Sequence, residues 1–349
     1  MAWSKITVTR ENGERAEAQA PMIVSASRST DIPAFYADWF FHRLNVGYSA
    51  WTNPFNGVKS YVSYANTRFI VFWSKNPKPL IPHLGKLRER NIKCYIQYTL
   101  NDYEAEGLER GVPPIDERIK TFKELSQRLG KNAVVWRFDP LILTDKISID
   151  NLLQKIENIG DQLIGYTEKL VFSFADIASY RKVQTNLTKN GVSYTEWSEP
   201  MMIEFVQKLS DLNKRWGYVL ATCGEKIDIE NYGVEHNRCV DDDLMIRLAH
   251  SDATLMKFLG VKVEQVGMFG DIPDGAIRIS DSIYAIKSKN NKDKGQRLHC
   301  GCMISKDIGE YNTCPHLCEY CYANTSKDRA VSNYKTHLNN LDSETITGK

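Results

Sequence analysis

Short runs dense in Val, Ile, Phe, Tyr and Trp alternate with segments of helical periodicity, and this alternation limits the fold more than any other feature of the chain. The runs at residues 22–28, 69–75, 94–100, 134–139, 170–176 and 218–225 read as buried strands. Between them, residues 35–44, 80–90, 116–129, 149–163 and 200–216 repeat apolar side chains on one helical face. Ser198 stands where the last of these would be capped, with Pro200 at its entry. Strand and helix in strict alternation require parallel strands joined by crossover helices. Strands that are apolar almost throughout are covered on both faces. The chain is therefore α/β, and both an open doubly wound sheet and a full or partial parallel (β/α) barrel satisfy this pattern.

The polar residues favour the barrel. Each run is apolar at its start and polar at its C-terminal end: Ser27, Arg28 and Asp31; Ser74, Lys75 and Asn76; Gln97 and Thr99; Arg137 and Asp139; Ser173 and Asp176; Thr222, Cys223 and Glu225. Singly, such residues cap strands and form turns. Shared by every strand, they predict a TIM-like mouth, because barrel sites form at this end from several strands at once. Alternation puts Arg137 and Asp139 on one face, and Gln97 and Thr99 likewise. Arg137, Asp139 and Glu225 are the catalytic candidates. The planar fork of Arg137 suits a carboxylate or phosphate, and the two carboxyls suit polar contacts or proton transfer. Arg28, Lys75, Gln97 and Asp176 are expected to line the mouth for cofactor or substrate.

A chain of 349 residues allows one large domain or two modest ones. The near-balanced charge of +2 argues against a dedicated, strongly basic nucleic-acid binder, although a local basic groove stays compatible with it. No stretch is apolar for long enough to span a bilayer, and the first residues lack the order of a signal peptide. A cytoplasmic location without a membrane partner is the expectation, and in that reducing compartment structural disulfides are disfavoured. The eight cysteines then need another explanation. Cys94, Cys223 and Cys239 are scattered, whereas Cys300, Cys302, Cys314, Cys318 and Cys321 crowd together, which points to metal.

Beyond residue 241 the rhythm weakens. Residues 244–258 read as one more helix, and 261–283 as irregular or hairpin structure. Residues 287–296 form a lysine-rich stretch, either a solvated loop or a phosphate-contacting patch. The expected division is a barrel-like domain over 1–286, followed by a cysteine-rich iron–sulfur segment over 287–349 packed on its mouth.

Cys314, Cys318 and Cys321 form C-x3-C-x2-C, with Tyr320 just before the third cysteine. Three thiolates so spaced can each bind a different iron of a 4Fe–4S cubane and leave the fourth iron open, whereas four thiolates close it. The competing reading is zinc held by Cys300, Cys302 and two of the later cysteines. Cys300 and Cys302 are also candidates for the fourth ligand of the same cluster, for a second metal site with Cys223 or Cys239, or for plain thiols. His299 and His316 are further possible ligands.

The three-cysteine motif resembles that of the radical S-adenosylmethionine superfamily, and its Cys-x-Tyr-Cys-Tyr form is similar to the spore photoproduct lyase branch, which repairs DNA. More of the chain resembles an uncharacterised bacterial family, domain of unknown function eighteen forty-eight, over residues 25–36, 53–56, 71–80, 135–143, 223–225 and 296–324. The superfamily resemblance implies a full or partial (β/α) barrel with the cluster at its mouth. It also implies S-adenosylmethionine chelated by the open iron, Tyr320 beside the adenine, and an external electron donor. In that superfamily the motif follows the first strand; here it follows all six, which implies a circularly permuted arrangement. Gly224-Glu225 is a partial echo of the superfamily's Gly-Gly-Glu.

Three functions follow as expectations. One is a radical enzyme acting on a small molecule. Another is a non-radical protein with a structural or redox iron–sulfur or zinc site. The third is a nucleic-acid repair enzyme, suggested by the photoproduct-lyase-like motif, the lysine run and the exposed-looking Trp51 and Tyr61.

Overall fold

The computed structural model describes residues 3–53, 56–267, 270–297 and 299–349. The resembling stretches 53–56 and 296–324 and the segment 261–283 therefore lie partly outside the described residues. Eight parallel strands form the main sheet: β1 (Ile23–Ala26), β2 (Phe69–Ser74), β3 (Lys93–Thr99), β4 (Val134–Leu141), β5 (Lys169–Phe174), β6 (Val219–Thr222), β7 (Val234–His236) and β8 (Lys306–Asp307). From β1 to β7 spatial order follows chain order, and β8 returns from the C-terminal region to pair with β1. All six predicted strands are present; β7 and β8, three and two residues long, are too short to carry a hydrophobic signature.

By ladder pairing the sheet is open, with β7 and β8 at its edges. One backbone hydrogen bond, from Met303 N–H to Val240 C=O at 2.9 Å, links the segments just after β7 and just before β8. Strand alternation divides the core in two. Val24, Ile70, Phe72, Ile96, Trp136, Phe172 and Leu220 face one way, into the layer shared with the crossover helices. Ile23, Phe69, Val71, Tyr95, Val135, Val171 and Ala221 face the other way, and Leu244, Met245, Leu255, Met256 and Met303 cover them. Continuing along that second face toward the strands' C-terminal ends, the apolar layer gives way to Gln97, Thr99, Arg137 and Asp139. Register places Gln97 beside Val135 and Thr99 beside Arg137.

The crossover helices sit close to where periodicity predicts them. Ile149–Leu163 is closed by a capping box in which Ser148 Oγ accepts from Asn151 N–H and Asn151 Oδ1 accepts from Ser148 N–H. Its Gly160 lets Trp216 approach so closely that a Cβ would lie 2.7 Å from the indole. Glu199–Trp216 starts after Ser198 with Pro200 in its first turn, although the Ser198 side chain makes no capping bond. The helix expected over 244–258 is two helices, Asp242–Ala249 and Ala253–Leu259, because Asp252 caps the second by accepting from Leu255 N–H at 3.0 Å. Among the described residues no helix is long and apolar enough to cross a membrane.

Candidate metal centre

Cys314, Cys318 and Cys321 lie on a loop that is tied to the ends of several strands. Thr30, just past β1, accepts from Glu310 N–H at 3.0 Å and shares a 2.7 Å hydrogen bond with Thr313 Oγ1. Tyr36 donates its hydroxyl to Thr313 C=O at 2.5 Å. Asp31 accepts from Ser74 Oγ (2.6 Å) and Lys75 N–H (2.7 Å) at the end of β2, and its carboxylate bonds His316 Nε2 at 2.7 Å. The other ring nitrogen of His316 bonds Gly111 C=O at 3.0 Å, and Gly111 N–H donates back to His316 C=O at 2.9 Å. A Cβ on Gly111 would meet that carbonyl oxygen at 2.7 Å, so only glycine permits this approach. His316, a possible ligand by sequence, is thus held by hydrogen bonds at both nitrogens.

Beneath the loop is a buried polar knot. Lys75 Nζ pairs with Glu109 Oε1 at 2.7 Å and donates to the Tyr320 hydroxyl at 2.8 Å. The same hydroxyl accepts from Asn101 Nδ2 at 3.0 Å and donates to Glu109. Burial presses the Lys75 ammonium down, but Glu109 and Cys318 more than reverse this and hold it above its ordinary value. Burial likewise opposes ionisation of Glu109, and Lys75 with Arg118 overcomes it. Tyr320 therefore spends its polar end on this knot, with Tyr103 edge-on to its ring at 6.0 Å. Sequence reasoning missed Glu109 and Asn101, which sit in the loop after β3 with no motif around them.

The three thiols are close enough to influence one another electrostatically. Burial raises the Cys314 thiol to about 12, with Asp31 and Cys321 adding to the effect, and also raises Cys318 and Cys321. Against burial, the backbone N–H groups of His316 and Asp31 favour the thiolate of Cys314, and those of Asn324 and Ala323 the thiolate of Cys321. Lys75 faces Cys318, while Lys75 and Lys327 both act on Cys321. Such donors and cations do little for a neutral thiol. They stabilise thiolates, and N–H···S bonds are among the levers that tune sulfur-bound metals.

The remaining candidates divide. Arg137 is ion-paired with Asp139 and donates to Gln97 Oε1 and to the Cys239 sulfur, each at 3.1 Å. Its guanidinium, expected to receive an external anion, is thus largely committed within the protein. Ser173 donates to the other oxygen of Asp139. Glu225 accepts from Phe174 N–H at 3.0 Å; burial, with the charges of Asp139 and Asp176, holds it up at about 7. Asp176 is exposed and accepts from Ser179 N–H at 3.3 Å. Arg28 lies with its guanidinium over Trp73, 5.4 Å from the ring, and Tyr322 donates to its carbonyl at 3.1 Å. Cys302 is buried and its sulfur accepts from Val240 N–H at 3.4 Å, Cys300 is half-buried, and the Cys223 and Cys239 sulfurs stand 3.2 Å apart.

Two expectations behind a nucleic-acid surface are corrected. Trp51 and Tyr61 are half-buried, and the Trp51 indole N–H donates to Gly309 C=O at 2.8 Å. In the lysine run, Lys287 is spent on Asp242 (2.9 Å) and Asp243 (2.7 Å), and Lys289 on Phe258 C=O.

Neither a curated protein nor a solved structure matches the chain. A family model does, that of Domain of unknown function (DUF1848), over residues 23–323. The match opens on the first residue of β1 and ends two residues past Cys321, so it takes in the main sheet and the cysteine loop together. The chain belongs to the DUF1848 domain family.

Proposed function

We propose that this protein is an iron–sulfur enzyme of the radical S-adenosylmethionine type, with a 4Fe–4S cluster held by Cys314, Cys318 and Cys321. The observation that carries the reading is that Cys314, Cys318 and Cys321 share one loop fastened by Thr30, Asp31 and Gly111 to the ends of the main strands, with the half-buried cation Lys75 acting on Cys318 and Cys321. These groups fit three thiolates and the negative charge of a cluster. When bound, a cubane with one iron free of protein thiolate supplies reductive cleavage of the S-adenosylmethionine sulfonium.

The chain's own residues take the remaining roles. The Lys75–Glu109–Tyr320 knot fixes the cysteine loop against β2 and the loop after β3. Arg137 orients Asp139. Glu225, held at about 7, holds or releases a proton near neutral pH, as a general acid or base must. We read the parallel sheet as most of a (β/α) barrel, its mouth covered by the cysteine segment. Chain-order pairing from β1 to β7 and the Met303–Val240 bond between the sheet's two edges support this. The substrate is a small molecule or a nucleotide-like group reaching the strands' C-terminal ends, and an electron donor completes the cycle.

The test is reconstitution with iron and sulfide in the absence of oxygen, followed by a reductant and S-adenosylmethionine. Release of 5′-deoxyadenosine, lost in Cys321→Ala, is the expected result. A fully loaded cluster that yields none contradicts the radical assignment.

A further inference from the structure

Two cysteines outside the C-terminal loop come together from separate strand ends. Cys223 directly follows β6 and Cys239 follows β7, and their sulfurs are in contact at 3.2 Å. The backbone fixes both positions. Cys223 N–H donates to Phe172 C=O at 3.0 Å, and Asn237 N–H to Thr222 C=O at 2.8 Å. The carbonyl of Cys239 accepts from the Tyr95 hydroxyl at 2.7 Å and from Gln97 Nε2 at 2.8 Å. Sulfurs held this close join by small side-chain rotations.

The two thiols differ in their surroundings. Cys239 is buried, and its sulfur accepts from Arg137 Nη1 and Asn237 Nδ2, each at 3.1 Å, beside the Cys223 thiol. A guanidinium donating to sulfur favours the thiolate, the form that attacks a disulfide. Cys223 is half-buried, so a small molecule meets it first. Among the described residues no third cysteine, histidine or carboxylate sets a ligand atom within 4.8 Å of both sulfurs, so the pair lacks the ligand set of a metal site.

We propose that Cys223 and Cys239 form a redox-active dithiol, closed to a disulfide by exchange with a small-molecule disulfide and reopened by thiols. Cys223 passes its proton to the neighbouring Cys239 sulfur, and the resulting Cys223 thiolate attacks one sulfur of the incoming disulfide. The S–S bond of that molecule breaks; one half leaves as a thiolate and the other stays on Cys223. Cys239 then gives its proton to the departing thiolate. As a thiolate steadied by Arg137 and Asn237, it attacks the Cys223 sulfur, and the second half leaves and is protonated by water. The two cysteines lose two electrons in all, and the small disulfide gains them as two thiols. Closing the bond removes the thiolate that Arg137 faces and leaves its guanidinium to Asp139, Gln97 and the Trp73 ring, so the state of the pair reaches a catalytic candidate.

The proposal does not depend on the C-terminal cluster, and its test reads the thiols rather than turnover. The full chain, reconstituted with iron and sulfide without oxygen, is equilibrated with glutathione disulfide and glutathione in graded ratios. Free thiols are then trapped by acid and alkylation, and the peptides are identified by mass spectrometry. The expected result is a peptide pair joined through Cys223 and Cys239 that grows as glutathione disulfide is raised and disappears with dithiothreitol. In Cys239→Ser, Cys223 should instead keep glutathione as a stable mixed disulfide. In Cys223→Ser, the buried Cys239 should stay free. Alkylated thiols at both positions under every ratio overturn the proposal, as does glutathione retained on Cys223 in the native chain. If either variant fails to fold by circular dichroism, the native chain decides through the presence or absence of the joined peptides.

Discussion

The C-terminal cysteine loop and the dispersed cysteines Cys223, Cys239, Cys300 and Cys302 are built in opposite ways. The loop's three cysteines fall within eight consecutive residues, and its supports come from elsewhere: Thr30 and Asp31 after β1, Lys75 after β2, Glu109 and Gly111 in the loop after β3. The dispersed thiols lie on separate segments, Cys223 after β6, Cys239 after β7, and Cys300 and Cys302 before β8. The first arrangement can be recognised by its motif, although its position depends on distant contacts. The second has no motif, because only the strand order brings Cys223 and Cys239 to within 3.2 Å.

Perturbing the supports should therefore affect the two groups unequally. The largest effect is expected for Glu109→Ala. Removing one member of the buried pair strands Lys75 and costs about 3–5 kcal/mol, measurable by urea denaturation. Iron bound by the loop should fall with it, while the Cys223 and Cys239 thiols, which share none of these supports, should react with a thiol reagent as in the native protein. Equal change at both would break the distinction.

Next is Gly111→Ala, whose Cβ would sit 2.7 Å from the His316 carbonyl oxygen and 2.8 Å from that of Pro315. Forcing the loop outward should cost about 1–3 kcal/mol, the range for overpacking, and should weaken loading at the loop alone. Tyr320→Phe keeps the ring but removes the hydroxyl shared by Lys75, Asn101 and Glu109. A loss of about 1–2 kcal/mol is expected, because Glu109 loses a donor and already has one buried oxygen without a partner. The smallest effect serves as a control. Ser148→Ala removes the cap of Ile149–Leu163 for about 1 kcal/mol and should leave the iron content of the loop unchanged.

The parallel α/β order was legible in the sequence because strands covered on both faces are apolar almost throughout, as residues 69–73 and 170–172 are. The polar strand ends were legible for the same reason: Gln97, Arg137 and Asp139 interrupt runs that are otherwise apolar. The short strands β7 and β8 were not, since their pairing is set by neighbours rather than by composition. Within the site, Cys314, Cys318, Cys321 and Tyr320 were recognisable from spacing. Arg137 and Asp139 were correctly placed on one face, but their mutual ion pair was not foreseen, and with the bonds to Gln97 and Cys239 it commits the Arg137 guanidinium within the protein. Glu109 carried no local signal at all. Its role exists only because the loop after β3 folds back over Lys75.

The central claim is that Cys314, Cys318 and Cys321 carry a cluster with one iron open to S-adenosylmethionine. Its most direct test is the electron paramagnetic resonance spectrum of the reconstituted, reduced protein, recorded with and without S-adenosylmethionine. The expected result is the signal of a reduced 4Fe–4S cluster that changes when S-adenosylmethionine is added and is absent in Cys321→Ala. A cluster signal indifferent to S-adenosylmethionine, or protein that takes up no iron, would contradict it.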